Sequence, residues 1–231
     1  MTARSIFFKR YILWLPKAWF LLILLFTLGL ILTLGFRGIG YFLAQTSPKY
    51  AEYLVVEGWQ GEQSLQQAIL IFNDPKNNYK YIITTGGPNT QWGQKVWSSF
   101  ADKSANYFLT HGLAATKVVS IPTPESAQNR TYLSAVMVRD WFADNSIKVN
   151  KLDVFSQGVH ARRSRFLYEL ALRDSGIGVY ACEPEGYQLS TWWKSSQGAK
   201  TVITEAIGFI WTIFFFEPSA IGSHQEKWGQ Y

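Results

Sequence analysis

Three features of this sequence predict a Rossmann-like α/β sandwich that follows one membrane-spanning helix. The first is an apolar segment without charged residues near the N-terminus, from Trp19 to Phe36. The second is a regular alternation of short β-rich runs with helical runs after Lys49, which is typical of right-handed crossovers in a mainly parallel sheet with helices on both faces. The third is the continuously apolar character of runs such as YLVV at 53–56, because strands covered on both faces have no polar side.

The apolar segment predicts one transmembrane helix over residues 18–37. Its uncharged part has 18 residues, which as a helix cover most of a hydrocarbon core of about 30 Å. A cleaved signal peptide is the alternative, but its apolar region would run about 7 to 15 residues, and Arg37 follows this longer one. A buried core helix is disfavoured because the segment is apolar on every face.

Charge predicts the orientation of this helix. Four basic residues and no acidic one precede the segment, so residues 1–17 should stay in the cytoplasm. The main domain should then lie on the extracytoplasmic side of the cell membrane. Five of the 22 basic residues lie at or before Arg37, and the chain after it carries 17 basic against 16 acidic groups. A near-neutral domain argues against nucleic acid as a partner. The single cysteine, Cys182, cannot form an internal disulfide.

After a linker at 38–50, the α/β domain is predicted at 51–217 and a tail at 218–231. The predicted strands are 53–56, 79–87, 117–121, 152–156 and 176–182. The predicted helices are 62–72, 98–110, about 130–144, 161–173 and 199–216. The last of these has an uncharged run of 11 residues, Ala206 to Phe216, which is too short for a second span. We expect it to pack on the sheet, and the alternative is that its Trp211 and Phe215 edge touches the bilayer surface.

The fold also predicts where a ligand binds, although the order of the strands stays open. In parallel α/β sheets, ligands lie beyond the carboxyl ends of the strands, at the point where the strand order reverses. The candidate surface is therefore made of the four segments 57–59, 85–88, 124–131 and 156–163.

The most specific of these segments reads SQGVHARRSR, at 156–165, where the fourth strand meets a helix. Several arginines at a helix start conflict with the positive end of the helix dipole, and a bound phosphate or carboxylate would remove that conflict. Arg162 and Arg163 are candidate anion ligands, Ser156 is a further ligand contact, and His160 is a candidate acid or base. The alternative is that the arginines point to solvent or pair with acids while His160 caps the helix.

Two other segments offer weaker signals. Gly86 and Gly87 follow a strand directly, so their backbone N–H groups could approach a ligand closely, or they form a simple tight turn. The segment PESAQNRTY combines Glu125 with Arg130 and Thr131 at the opening of a helix, and these groups could contact a polar ligand. The alternative is that Glu125 pairs with an arginine while Thr131 caps the helix.

Glu57 closes the first strand and could act as a base or bind a cation. Glu57 and Glu125 are thus candidates to orient a nucleophile or a cation beside His160. The three histidines are widely spaced and there is one cysteine, so no zinc-type ligand set is predicted. No cofactor is identified by these residues.

The order of these motifs resembles the SanA/ElyC/YdcF family, a group with a domain of unknown function. The resemblance covers residues 53–184 and is carried by VVEGW, IITTGG, LTHGL, PESAQNRTY and HARR. It implies a Rossmann-like fold and a role in cell-envelope integrity, peptidoglycan or lipid-carrier metabolism. One branch of that family is reported to bind S-adenosylmethionine.

The sequence thus predicts a domain that binds a phosphorylated or otherwise anionic envelope metabolite, such as a lipid carrier or a nucleotide-like ligand. Whether it acts on that ligand as a transferase or hydrolase stays open. One alternative is a non-catalytic envelope factor that binds a lipid or a protein. Another is a cytoplasmic binder of S-adenosylmethionine or a nucleotide.

The predicted topology can be tested with a reporter. Alkaline phosphatase, which is active only outside the cytoplasm, should be active when fused after Tyr231, because the basic N-terminus keeps residues 1–17 inside. The same reporter fused after Lys17 should be inactive. A reporter that is active only in the cytoplasm when placed after Tyr231 would overturn this topology.

Overall fold

A computed structural model of this chain describes residues 16–89, 98–126, 128–173 and 176–228. The chain forms two compact units, Met1–Gly38 and Ile39–Tyr231. The first helix, α1, runs over Ala18–Leu43 and is long and apolar enough to cross a membrane. It continues beyond the predicted end at residue 37 into the predicted linker. Most of the predicted cytoplasmic segment, residues 1–15, and the end of the predicted tail, residues 229–231, lie outside the described residues.

The second unit contains a five-stranded parallel sheet with helices on both sides. Its strands are β1 (Tyr53–Glu57), β2 (Tyr81–Gly86), β3 (Val118–Pro122), β4 (Leu152–Gln157) and β5 (Ile177–Cys182). Its helices are α2 (Glu62–Asn73), α3 (Phe100–Thr110), α4 (Arg130–Asp144), α5 (Ala161–Leu172), α6 (Ser196–Phe215) and a short α7 (His224–Trp228). The predicted α/β sandwich is confirmed, and the sequence analysis did not predict α7.

The alternation of side chains along the strands builds two apolar layers. Leu54 and Val56 point from β1 toward α2 and α3, whereas Val55 points to the opposite face, toward α4 and α5. All three side chains are fully buried, and burying one such side chain contributes about 1.5 to 3 kcal/mol. The apolar runs seen in the sequence are therefore strands covered on both faces.

The strand order is β3-β2-β1-β4-β5. Strand β1 pairs with β2 on one side and with β4 on the other, so the order reverses between β1 and β4. Parallel sheets leave a crevice at this point, beyond the carboxyl ends of the two strands. Glu57 and Gln157 are the last residues of these strands and mark the edge where a site is expected.

Helix α6 differs from the prediction of a helix on the sheet. It packs mainly against α5 and a 3₁₀ turn at Leu189–Lys194. It begins at Ser196, earlier than predicted, and with this added turn it also has the length and composition of a membrane span. Most of its apolar side chains are exposed.

A buried carboxylate fixes the start of the domain to the sheet. Asp153 on β4 is fully buried and accepts hydrogen bonds from the backbone N–H groups of Lys49 (2.7 Å) and Ala51 (3.0 Å). It also accepts one from the hydroxyl of Tyr79 (2.7 Å). Both carboxylate oxygens of Asp153 therefore act as acceptors. Gly178 lies so close on β5 that any side chain there would collide with this carboxylate.

We expect Asp153→Asn to destabilise the domain by about 1 to 3 kcal/mol, because its amide NH₂ must face a buried donor in either orientation. Thermal unfolding of the full chain in detergent, followed by circular dichroism, measures this. Glu52→Gln removes a carboxylate from an exposed ion pair with Lys80 and serves as the control. Equal melting temperatures for the two variants would contradict the role given to Asp153.

Candidate functional site

Polar side chains gather where the strand order reverses. Glu57 and Ser156 lie at the carboxyl ends of β1 and β4, on the same face as Val55 and Val154, which pack under α4 and α5. These two helices and α6 add further polar groups. The resulting set, which we call the edge cluster, comprises Glu57, Thr131, Ser156, His160, Arg163, Ser164 and Glu205.

Glu57 lies at the bottom of the edge cluster, and its side chain is 2% exposed. Its carboxylate accepts hydrogen bonds from the hydroxyls of Ser156 (2.5 Å) and Ser164 (2.8 Å). His160 Nε2 lies 3.7 Å from Glu57 Oε1, beyond hydrogen-bond distance but close enough for a charge interaction. The two hydroxyls replace water around a carboxylate that would otherwise be buried without donors.

Two further buried hydroxyls lie near Glu57. Thr85 on β2 is the register partner of Glu57. Burial raises the pKa of the Tyr168 phenol on α5, and the charge of the nearby Glu57 raises it further. Within the described part of the chain, Thr85 Oγ1 and Tyr168 Oη are buried without a hydrogen-bond partner. The surroundings of Glu57 are thus rich in neutral O–H donors.

The two ring nitrogens of His160 have different partners. Nδ1 lies 3.0 Å from Glu205 Oε2 and 3.1 Å from Arg163 Nη2, whereas Nε2 lies 3.3 Å from Thr131 Oγ1. A carboxylate only accepts hydrogen bonds and a guanidinium only donates them, so the two contacts of Nδ1 cannot both be hydrogen bonds. Arg163 Nη2 already donates to Glu205 Oε1 (3.0 Å), so we place a proton on Nδ1, where it is donated to Glu205. We assign that tautomer from the partners, and it leaves Nε2 free to exchange a proton with the Thr131 hydroxyl.

A two-point ion pair holds Glu205 in place. Arg163 donates from Nε (2.9 Å) and from Nη2 (3.0 Å) to its carboxylate. Burial alone would raise the pKa of Glu205, but the hydrogen bonds and positive charge supplied by His160 and Arg163 outweigh it and lower the pKa to about 2. Glu205 is therefore ionised at neutral pH and favours the tautomer assigned to His160.

A tight turn brings His160 into this position. After β4, the chain forms a single 3₁₀ turn at Gly158–His160 before α5 begins. Gly158 has a φ of +43°, and a side chain there would lie 3.2 Å from Pro184. A glycine is therefore favoured at this turn, and the turn aims His160 across the edge toward α4 and α6.

A cavity of about 230 Å³ opens beside His160. It is lined by Trp59, Gln157, Val159, His160, Pro184, Glu185, Tyr187, Gln197, Thr201 and Glu205. The ring of Trp59 meets the imidazole edge to face at 5.6 Å between centroids. The volume is below the 300 to 1,000 Å³ of ordinary ligand pockets, so the cavity suits a head group or a fragment of a larger ligand.

A second cavity, of about 250 Å³, lies between α4, the end of α6 and the C-terminal segment. Two acidic residues, Glu217 and Glu226, line it, and Glu226 accepts hydrogen bonds from Arg139 (2.7 Å) and from the backbone N–H of Gly222 (2.7 Å). This carboxylate therefore has a clear structural role, which ties α7 to α4. We place the candidate site at the first cavity because His160 lines it.

The structure brings together five of the residues predicted from sequence, and Ser164 and Glu205 are the two members that the sequence analysis missed. The five are Glu57, Thr131, Ser156, His160 and Arg163. Glu205 is the single acidic residue of α6, and an isolated carboxylate in an apolar helix is the signal that could have identified it.

The other predicted residues lie elsewhere on the same edge. Arg162 donates to the backbone carbonyl of Phe42 and its guanidinium lies 3.9 Å from that ring, so it faces the last turn of α1. Arg163, the second predicted anion ligand, is occupied by Glu205. Anion binding by these two arginines stays a prediction, and it would require a ligand that shares or displaces these partners.

The predicted loop residues have simpler surroundings. Gly86 has a φ of +154°, and a side chain there would approach Phe100 at 2.9 Å, so this turn packs against the start of α3. The carbonyl of Gly87 accepts a hydrogen bond from the backbone N–H of Phe100. Glu125 and Arg130 are exposed, and neither occurs among the described contacts of the edge cluster.

No protein-family model matches this chain, and no curated protein matches it. The resemblance to the SanA/ElyC/YdcF family therefore stays a prediction. Function is inferred from the geometry of the edge cluster.

The lowered pKa of Glu205 predicts a pH-dependent contribution to stability. This contribution is present above the usual glutamate pKa of about 4.3 and is lost as the pH falls toward 2. At pH 7, Glu205→Gln should lose roughly 1 to 3 kcal/mol of stability, and the difference from the wild type should shrink below about pH 4. Melting temperatures between pH 7 and pH 3 measure this.

Glu217→Gln, an exposed change just after α6, is the matched control and should follow the wild type at every pH. A Glu205→Gln deficit that does not change with pH would show that the carboxylate charge is not what stabilises this contact.

Proposed function

We propose that this protein is a membrane-anchored envelope protein whose extracytoplasmic α/β domain binds a phosphorylated or otherwise anionic metabolite at the edge cluster and acts on it as a transferase or hydrolase. The observation that supports this proposal best is the line formed by a hydroxyl, an imidazole and a carboxylate. Thr131 Oγ1 lies 3.3 Å from His160 Nε2, and His160 Nδ1 lies 3.0 Å from Glu205 Oε2.

Such a line can activate a hydroxyl as a nucleophile. The Thr131 oxygen would attack an acyl or phosphoryl centre while His160 Nε2 takes its proton, and Glu205 would hold the ring and stabilise the imidazolium. His160 would then return this proton to the leaving group. Water would release the covalent Thr131 intermediate in a hydrolase, and a second hydroxyl would do so in a transferase.

Local electrostatics favour an anionic group at Thr131. This residue lies in the first turn of α4, where free backbone N–H groups and the helix dipole attract negative charge. The N-cap residue, Asn129, makes no side-chain hydrogen bond to this turn. Arg130 is exposed beside it and can contribute a positive charge that Glu205 does not neutralise. We therefore assign the anion to the start of α4 rather than to Arg162 and Arg163.

The proposed location supports a ligand from the envelope. Helix α1 keeps the domain at a membrane, and the charge bias of the N-terminus favours the extracytoplasmic side. A lipid carrier with a phosphate head group is an anionic ligand that a membrane-anchored domain would meet. The resemblance to the SanA/ElyC/YdcF family, carried by PESAQNRTY and HARR, favours the same class of ligand.

One observation favours a second candidate, a non-catalytic envelope factor. Every charged group of the edge cluster has a partner in the described residues: Glu205 with Arg163, and Glu57 with Ser156 and Ser164. Such complete pairing is also what a structural connection between α5, α6 and the sheet requires. This candidate binds its ligand at the same edge but performs no proton transfer.

Ligand binding is tested first, with the full-length protein in detergent. Geranylgeranyl phosphate, uridine diphosphate N-acetylglucosamine and S-adenosylmethionine are suitable probes in a thermal-shift screen followed by calorimetry. A ligand at 100 times its dissociation constant should add about 2.7 kcal/mol of stability. Arg130→Ala should weaken a phosphate-bearing ligand, whereas Lys148→Ala, an equal loss of charge in the loop before β4, should not. Failure of all three probes to bind folded protein would contradict the anion site.

Turnover of a bound ligand separates the two candidates. Thr131→Val and His160→Gln should each lower the rate by at least roughly 10² to 10⁴-fold while the ligand still binds, because the first removes the proposed nucleophile and the second removes the base that takes its proton. Thr131→Ser keeps the hydroxyl and should retain much of the rate. If bound ligand is not turned over by the wild type, or if Thr131→Val is fully active, the non-catalytic candidate is favoured.

A further inference from the structure

Helix α6 presents an apolar stripe to its surroundings. Ile203, Ile207, Ile210 and Phe214 recur at helical spacing, so they lie along one side of the helix. Their side chains are well exposed, with Ile207 at 64% and Phe214 at 72%. Soluble surfaces rarely carry a contiguous apolar stripe of this kind, and one that exists marks an interaction surface.

The opposite side of α6 is fixed to the domain. Val202 and Thr212 are buried on that side, and Glu205 lies between them in its ion pair with Arg163. The helix therefore cannot rotate to hide its apolar stripe without breaking the edge cluster. Moving α6 across the bilayer would also place the charged Glu205 side chain in hydrocarbon, which is unfavourable. These contacts argue against a second span and leave the stripe facing outward.

The position of α6 in the chain indicates what covers the stripe. The last turn of α1, Ile39–Leu43, belongs to the same compact unit as α6, and Phe42 packs edge to face on Phe209 of α6 at 5.9 Å. Leu43 is buried in one apolar cluster with Val202. Phe42 follows Phe36, the end of the uncharged segment, by six residues of the same helix, a rise of about 9 Å. Part of α6 is therefore tethered close to the bilayer surface.

We infer that the Ile203–Phe214 stripe of α6 lies flat in the interface of the same bilayer that α1 spans. Lys200 is exposed on the same side of the helix, one turn before Ile203, and can reach lipid phosphates. An apolar stripe with a cation at its border and a tryptophan, Trp211, at its edge is typical of helices that lie in a membrane interface. This inference does not depend on the proposed catalytic function, since it uses the side of α6 that faces away from the edge cluster.

The inference is tested with full-length protein reconstituted into vesicles of phosphatidylcholine and phosphatidylglycerol. An environment-sensitive fluorophore is attached to Phe214→Cys or to Leu70→Cys, and nitroxide-labelled lipids serve as quenchers. Leu70 is the matched control because it is 64% exposed on α2, which covers the opposite face of the sheet. The native Cys182 is buried, so unmodified protein gives the labelling blank.

We expect several-fold stronger lipid quenching at position 214 than at position 70, and stronger quenching by aqueous iodide at position 70. Ile207→Cys gives an independent label if Phe214→Cys does not fold. Equal iodide quenching and no lipid quenching at 214 and 207 would overturn the inference. Shielding from iodide without lipid quenching, together with energy transfer between labelled copies, would overturn it in favour of a second protein copy on this face.

Discussion

The ion pair between Arg163 and Glu205 is the contact on which much of this structure depends. It joins α5, which packs on the sheet, to α6, which packs mainly on α5 and the neighbouring 3₁₀ turn. Through His160 it also reaches Thr131 at the start of α4. One carboxylate thus positions a helix, selects a histidine tautomer and completes the edge cluster. Because these roles share the same atoms, a change at Glu205 affects both the stability of the fold and the chemistry of the site.

The sequence was a good guide to the elements of the sheet and a poor guide to their contacts. Apolar runs locate the five strands because both faces of the sheet are covered. Strand order is decided by long-range pairing, as between Val55 of β1 and Val154 of β4, and no local pattern encodes it. The motifs HARR and NRTY were predicted to meet at one edge, and His160 and Thr131 do meet there.

The roles of the arginines illustrate what local sequence cannot provide. Three arginines at the start of α5 favour an anion, and in the structure all three meet partners that are distant along the chain. Arg165 donates to the hydroxyl of Ser47 (3.0 Å). Arg163 pairs with Glu205, and Arg162 stacks on Phe42 at the end of α1. Arg165 pairs with Glu169 one turn later, which was one of the alternatives that local spacing allowed. The partners of these arginines thus depend on how the end of α1 and helix α6 pack, which the local pattern does not show.

Stability alone does not explain why two carboxylates surround one imidazole. Replacing a buried ion pair with well-packed apolar side chains is often neutral or stabilising, because desolvation offsets most of the charge attraction. Glu57 and Glu205 are both largely buried, and each lies within 4 Å of a nitrogen of His160. A helix that needed only to be fixed to α5 would be held as well by apolar contacts such as those of Val202. A histidine with one nitrogen held by a carboxylate and the other beside a hydroxyl is instead what proton transfer requires, and this favours a chemical role for the edge cluster.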